Sequence, residues 1–120
     1  MDRTVLITGA SRGIGAATAR VFAQEGWNAA LLYRSQHEAA AKLVSELEAL
    51  GVKAAAYCAD VSSREQVRDT VHRAEDTFGG IDTLVCNAGI AIPLTRLVDY
   101  TEEKWDRVFN INLRGMFHCL

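Results

Sequence analysis

The sequence predicts an α/β fold, a doubly wound parallel sheet covered on both faces by helices. Short apolar runs alternate four times with stretches of helical period, and the first run passes through a glycine-rich turn directly into a helix. No repeat, low-complexity segment or linker interrupts this alternation, so residues 1–120 read as a single domain large enough for one ordinary core.

Strands are expected near residues 4–8, 29–33, 53–58 and 82–86, with helices between them and one after the last. In the first helix Ile14, Ala17, Thr18, Val21 and Phe22 form one stripe, and in the second Ala40, Leu43, Val44, Leu47 and Leu50 do the same. Both stripes are expected to pack on the sheet. Ser62 with Glu65 has the capping-box pattern at the start of the third helix, whose apolar face is Val67, Val71, Ala74 and Phe78 and whose end is Gly79-Gly80. Pro93, the one proline, lies in the loop after the fourth strand, where a missing N–H does no harm. In the last helix Trp105, Val108, Phe109, Leu113, Met116 and Phe117 follow helical spacing, with Asn112 in the centre of the stripe and Asn110 pointing away. Gly115 comes too early to end that helix and no stop signal stands at Leu120, so the chain reads as C-terminally truncated.

Composition narrows the classes of function. The net charge is −2, with thirteen Lys and Arg scattered among fifteen acids, which gives no basic stripe for nucleic acid. No apolar run approaches the length needed to span a bilayer, and the N-terminus enters a strand without a signal-peptide pattern, so a cytoplasmic protein is expected. Cys58, Cys86 and Cys119 sit in or beside apolar stretches, with no C-x-x-C pair and no His at ligand spacing; buried thiols and no metal are expected.

The chemistry concentrates at the first turn. Thr8-Gly9-Ala10-Ser11-Arg12-Gly13-Ile14-Gly15 follows Val5-Leu6-Ile7, and its glycines let backbone turn tightly and approach a ligand that a β-carbon would push away. At the N-terminus of a helix that ligand is a pyrophosphate. The spacing is G-x-x-x-G-x-G rather than the G-x-G-x-x-G of the common dinucleotide fingerprint. These eight residues resemble the cofactor loop of the short-chain dehydrogenases/reductases. Asp60-Val61, Asn87-Ala88-Gly89-Ile90 and Asn112-Leu113 match the same family in order and spacing, so the resemblance runs the length of the chain. Within the family the general similarity is greatest to the bacterial 3-oxoacyl-acyl-carrier-protein reductases. The expected fold is then Rossmann-type with strand order 3-2-1-4, the cofactor lying between the first and fourth strands.

The second strand ends at Tyr33-Arg34-Ser35, about twenty residues past the glycine loop, where an NAD site would place an acid for the ribose 2′-hydroxyl. Here Arg34 takes that place and Arg12 is a second cation, a pair suited to charge-assisted bonds with a 2′-phosphate. NADP(H) is therefore expected over NAD. The competing reading leaves both arginines as solvated surface residues. The resemblance implies that the Asp60 carboxylate and Val61 backbone meet the adenine and that Asn87, Ala88 and Gly89 approach the ribose; alternatively Asp60 only helps start the next helix. Many members of the family carry Asn where this chain has Cys86.

An amide amid apolar neighbours needs partners, because a buried unsatisfied one costs about 1–3 kcal/mol. The resemblance gives Asn112 a place in a tetrad with Ser, Tyr and Lys, anchoring a water that leads protons to the Lys; a purely structural tie to a neighbouring segment is the alternative. The family places its Ser and its Tyr-x-x-x-Lys beyond Leu120. The one literal match here, Tyr100 to Lys104, is geometrically unsuited: Thr101 is a good N-cap, which leaves Tyr100 outside the helix. His37 and His72 read as surface residues and His118 as a packing residue. The activity implied is NADPH-dependent reduction of a ketone, a 3-oxoacyl thioester in fatty acid biosynthesis, by a full-length homo-oligomer. A cofactor-binding but inactive fragment, or an enzyme of sugar, steroid or protein-bound ketones, is the alternative.

Overall fold

The computed structural model describes residues 2–120. Four parallel strands, β1 (Thr4–Thr8), β2 (Asn28–Tyr33), β3 (Ala54–Cys58) and β4 (Thr83–Val85), stand in the order β3-β2-β1-β4. Helices α1 (Gly13–Gln24), α2 (His37–Ala49) and α3 (Arg64–Phe78) make the crossovers. After β4 a loop and a short 3₁₀ turn at Leu97–Asp99 lead to α4 (Glu102–Phe109), a π-helical turn at Asn110–Arg114, and α5 (Gly115–Cys119).

Strand alternation divides the core in two. Val5 and Ile7 of β1 and Ala29 and Leu31 of β2 face α1 and α2, packing with Ala19, Ala23, Leu43 and Leu47. Leu6, Ala30 and Leu32 point the other way and pack with Tyr57, Val67, Ala74 and Ile111. Both faces of β1 and β2 are thus buried, which is why these strands read as continuous apolar runs.

Several expected registers differ from the structure. In α1 the buried face is Gly15, Ala16, Ala19 and Ala23, while Ile14 is 77% and Val21 58% exposed. The alanine stripe wins because small side chains let the helix lie close to the sheet. The α2 face is as expected except for Leu50, which is half exposed where the helix ends. At α3 the cap is Ser63 rather than Ser62: the Gln66 N–H donates to Ser63 Oγ at 3.3 Å, and Ser62 donates its hydroxyl to Asp60 instead. Gly79 closes α3 at φ 81°, as the Gly79-Gly80 pair predicts.

The last helix turns its expected stripe outward. Trp105, Phe109, Leu113, Met116 and Phe117 are 40–67% exposed, while Val108, Ile111, Asn112, Gly115 and Cys119 face the body. Both sides of this helix are apolar, so periodicity alone cannot choose between them, and the π turn further shifts the register around Asn112. The thiols also depart from expectation. Cys58 is exposed, Cys86 and Cys119 are half-buried, and burial with the nearby Cys86 pushes the Cys119 thiol up to about 11. Among the described residues no helix is long and apolar enough to cross a membrane.

Candidate functional site

The carboxyl ends of β1 and β4 are joined by one buried threonine. Thr8 Oγ1 accepts from the backbone N–H groups of Asn87 and Ala88, each at 2.9 Å. Asn87 returns the contact, its Nδ2 donating to the carbonyls of Thr8 and Gly9 at 3.1 Å each. Gly9 has φ 63°, and a β-carbon there would lie 2.9 Å from the Ala88 Cα. On Gly15 a β-carbon would overlap the Gly9 carbonyl oxygen and come 2.7 Å from Asn87 Nδ2. These two glycines therefore serve the close meeting of three backbone segments.

Gly13 is different: it has φ 60°, and nothing lies within 4 Å of where its β-carbon would be. It opens α1, whose N-cap Arg12 makes no side-chain capping bond and whose first turn carries no acid. The free N–H groups and positive dipole end of this helix are left for an anion.

Beside this helix end runs a crevice of about 380 Å³, bounded by the loops after β1, β2, β3 and β4. From the glycine loop Gly9, Ser11, Arg12 and Gly13 line it. Arg34 and Ser35 line it from the end of β2, Asp60 and Val61 from the end of β3, and Asn87, Ala88 and Gly89 from the end of β4. Three expected site residues stand outside the lining. Ile14 is exposed on α1, Gly15 is buried behind the loop, and Asn112 lies behind Ile90.

The lining also includes Tyr33 and Ile90, which stand in the quoted motifs without an assigned role, and Leu32, Gln36, Ala59 and Ile111, which lie outside them. Each of the latter is a chain neighbour of a motif residue.

Among the described residues the formal charges in the lining are Arg12, Arg34 and Asp60. Burial by itself would raise the Asp60 carboxyl, but bonds from the Ser62 hydroxyl and N–H, at 2.7 and 2.9 Å, together with Arg34, hold it below the ordinary carboxylate range. Arg34 Nε stands 3.8 Å from Asp60 Oδ2 and its side chain is 56% exposed. Asp60 thus combines two roles weighed separately in the sequence: it faces the crevice, and it braces the turn that leads into α3.

Asn112 makes two hydrogen bonds to the backbone of one residue, Ile90. Its Oδ1 accepts from the Ile90 N–H at 2.8 Å and its Nδ2 donates to the Ile90 carbonyl at 2.9 Å. A β-carbon on Gly89 would sit 3.4 Å from Asn112 Oδ1, an ordinary contact distance, so this pair does not by itself require the glycine. Thr101 caps α4 by accepting from the Lys104 N–H at 3.2 Å, so Tyr100 precedes the helix and shares no face with Lys104. His37 and His72 are exposed, and His118 packs against the Val61 carbonyl.

Comparison with known proteins agrees with this geometry. The chain matches the family model for short chain dehydrogenases over residues 3–120. It is 38% identical over 120 residues to a 3-oxoacyl-[acyl-carrier-protein] reductase of Staphylococcus epidermidis, covering all of this chain and 49% of that protein. Among solved structures, an NAD+-bound xylitol dehydrogenase superposes with TM-score 0.92 at 39% identity, over 98% of this chain and 45% of that one. An alcohol dehydrogenase from the archaeon Thermococcus sibiricus, complexed with 5-hydroxy-NADP, superposes with TM-score 0.94 at 36% identity, over 100% of this chain and 51% of the other. The chain spans about half the length of the relatives it matches. Motifs, sheet order, loop geometry and the family match converge: the chain belongs to the short-chain dehydrogenase family.

Proposed function

We propose that these residues form the dinucleotide-binding domain of an NADP(H)-dependent oxidoreductase that reduces a ketone to an alcohol, with a 3-oxoacyl thioester as its substrate class. The bound nicotinamide supplies the hydride. This chain's own residues bind and orient: the open N-terminus of α1 and the Gly9–Gly13 loop receive the pyrophosphate, Asp60 and Val61 the adenine side, and Asn87, Ala88 and Gly89 the ribose.

The observation that carries the cofactor choice is the charge at the end of β2. Arg12 and Arg34 against the single carboxylate of Asp60 leave the lining with a surplus of one positive charge. No acid among residues 33–36 stands ready for a 2′-hydroxyl. A 2′-phosphate gains charge-assisted bonds there, and the one carboxylate beside it, Asp60, is already paired with Arg34 at 3.8 Å. The relatives include proteins described with either nicotinamide dinucleotide, so the preference rests on these two arginines.

Asn112 keeps a second Nδ2 proton and a second Oδ1 lone pair beyond its bonds to Ile90, enough to hold a water in a proton relay. The thioester assignment is supported by the likeness to the staphylococcal reductase and by the run of the sequence. The family's Ser and Tyr-x-x-x-Lys find no suitably placed match here, so the 120 residues alone bind cofactor without turnover.

The test is Arg34→Asp in the intact enzyme, with kcat/KM compared for NADPH and NADH. Losing a charge-assisted contact of about 1.5–3 kcal/mol reduces the NADPH preference tenfold or more. An unchanged ratio removes Arg34 from the cofactor site.

A further inference from the structure

The last helix reaches the crevice wall from behind at a second point besides Asn112. Gly115 packs against Val61, where a β-carbon would fall 2.8 Å from Val61 Cγ2 and 3.1 Å from its Cβ. This close approach brings His118 Nδ1 to 2.8 Å from the Val61 carbonyl oxygen. A carbonyl oxygen only accepts, so Nδ1 carries the proton that makes this contact.

Val61 belongs to the short link between β3 and α3, outside the sheet ladder. Its neighbours are held locally: the Asp60 N–H donates to Gln66 Oε1 and the Ser62 N–H to Asp60 Oδ1. The Val61 carbonyl is instead held by a residue fifty-seven positions away. Val61 lines the crevice while His118 does not; the histidine borders the groove on the far side with Leu113 and Phe117.

We propose that His118 is a positioning residue for the cofactor: its Nδ1–H fixes the Val61 backbone as crevice wall and so sets cofactor affinity without touching the ligand. This rests on reading the crevice as an NADP(H) site. The bond crosses from one wall-forming segment to a different element, so its removal frees the wall while the glycine loop and the Ile90 side keep their own ties.

The variants are His118→Leu, which removes the donor, His118→Asn, whose Nδ2 takes the place of Nδ1, and His118→Gln, whose amide nitrogen falls nearer the position of Nε2. In the intact protein, Kd is measured for NADPH and for adenosine 2′,5′-bisphosphate, which carries only the adenine half, together with KM and kcat. His118→Leu is expected to weaken both ligands by the same factor, about fivefold for one neutral hydrogen bond, and to raise KM with kcat at saturation unchanged. Backbone amides 61–63 exchange faster in that variant without ligand. His118→Asn restores affinity and protection, and His118→Gln does not. If His118→Leu does not fold, the Asn and Gln variants decide alone by the same contrast. Equal affinities across the variants, or a loss of kcat with Kd unchanged, overturn the proposal. Wild-type protein that is folded yet binds neither ligand overturns the cofactor reading itself, and this inference with it.

Discussion

Replacing Asn112 by Leu tests the tie between the last helix and the loop after β4. Leu keeps the branched shape, with two methyls where Oδ1 and Nδ2 were, so little changes except the loss of both bonds to Ile90. The Ile90 N–H and carbonyl are then left without their partners. Full burial would cost about 1–3 kcal/mol for each. Ile90 is only half-buried, so water recovers part of this, and a loss of about 2–4 kcal/mol is expected. The assay is urea unfolding of the intact protein, read as a lower midpoint at constant slope. Asn112→Asp is the sharper companion. Its carboxylate still accepts from the Ile90 N–H but sets a second oxygen against the Ile90 carbonyl, so it destabilises at neutral pH and recovers as acid protonates it. Asn110→Leu, on the outer groove with Phe109 and Leu113, stays within about 0.5 kcal/mol. A shift below about 0.5 kcal/mol for Asn112→Leu, or a larger one for Asn110→Leu, refutes the helix register described above.

Gly15→Ala should disturb the glycine loop without touching ligand, because the new methyl overlaps the Gly9 carbonyl and Asn87 Nδ2. Overpacking of this kind costs about 1–3 kcal/mol, and calorimetry should show lower stability together with weaker NADPH binding, whereas wild-type values for both would contradict the packing. The 120-residue chain assayed with NADPH and a 3-oxoacyl thioester should show no turnover; activity above background that Tyr100→Phe abolishes would restore the Tyr100–Lys104 pair as catalytic.

Strand positions were legible in the sequence because Val5–Ile7 and Ala29–Leu32, buried on both faces, leave unbroken apolar runs, while the sheet order followed from the resemblance carried by the glycine loop and its companion motifs. Eleven of the fourteen named site residues line one crevice: Gly9, Ser11, Arg12, Gly13, Arg34, Ser35, Asp60, Val61, Asn87, Ala88 and Gly89. That follows from a parallel sheet, which gathers all its strand ends at one edge. What local pattern could not show was which of two apolar helix faces goes inward. In α1 the alanines displaced Ile14 and Val21, and in the last helix Gly115 marks a close approach to Val61 that looks in sequence like a misplaced cap. Ser62 and Ser63 stand three residues before Glu65 and Gln66 in turn, so the pattern that pointed to Ser62 fits Ser63 equally, and Asp60 claims Ser62. The Arg34–Asp60 contact depends on β2 and β3 lying side by side, with Tyr33 paired to Cys58.

The most direct measurement of the central claim is hydrogen–deuterium exchange of the intact protein with and without saturating NADPH. The account predicts slowed exchange in three separate stretches, 9–15, 60–62 and 87–90, with half-saturation at a lower concentration of NADPH than of NADH. No protection in these stretches, or protection confined to the outer groove at Phe109 and Leu113, would contradict it.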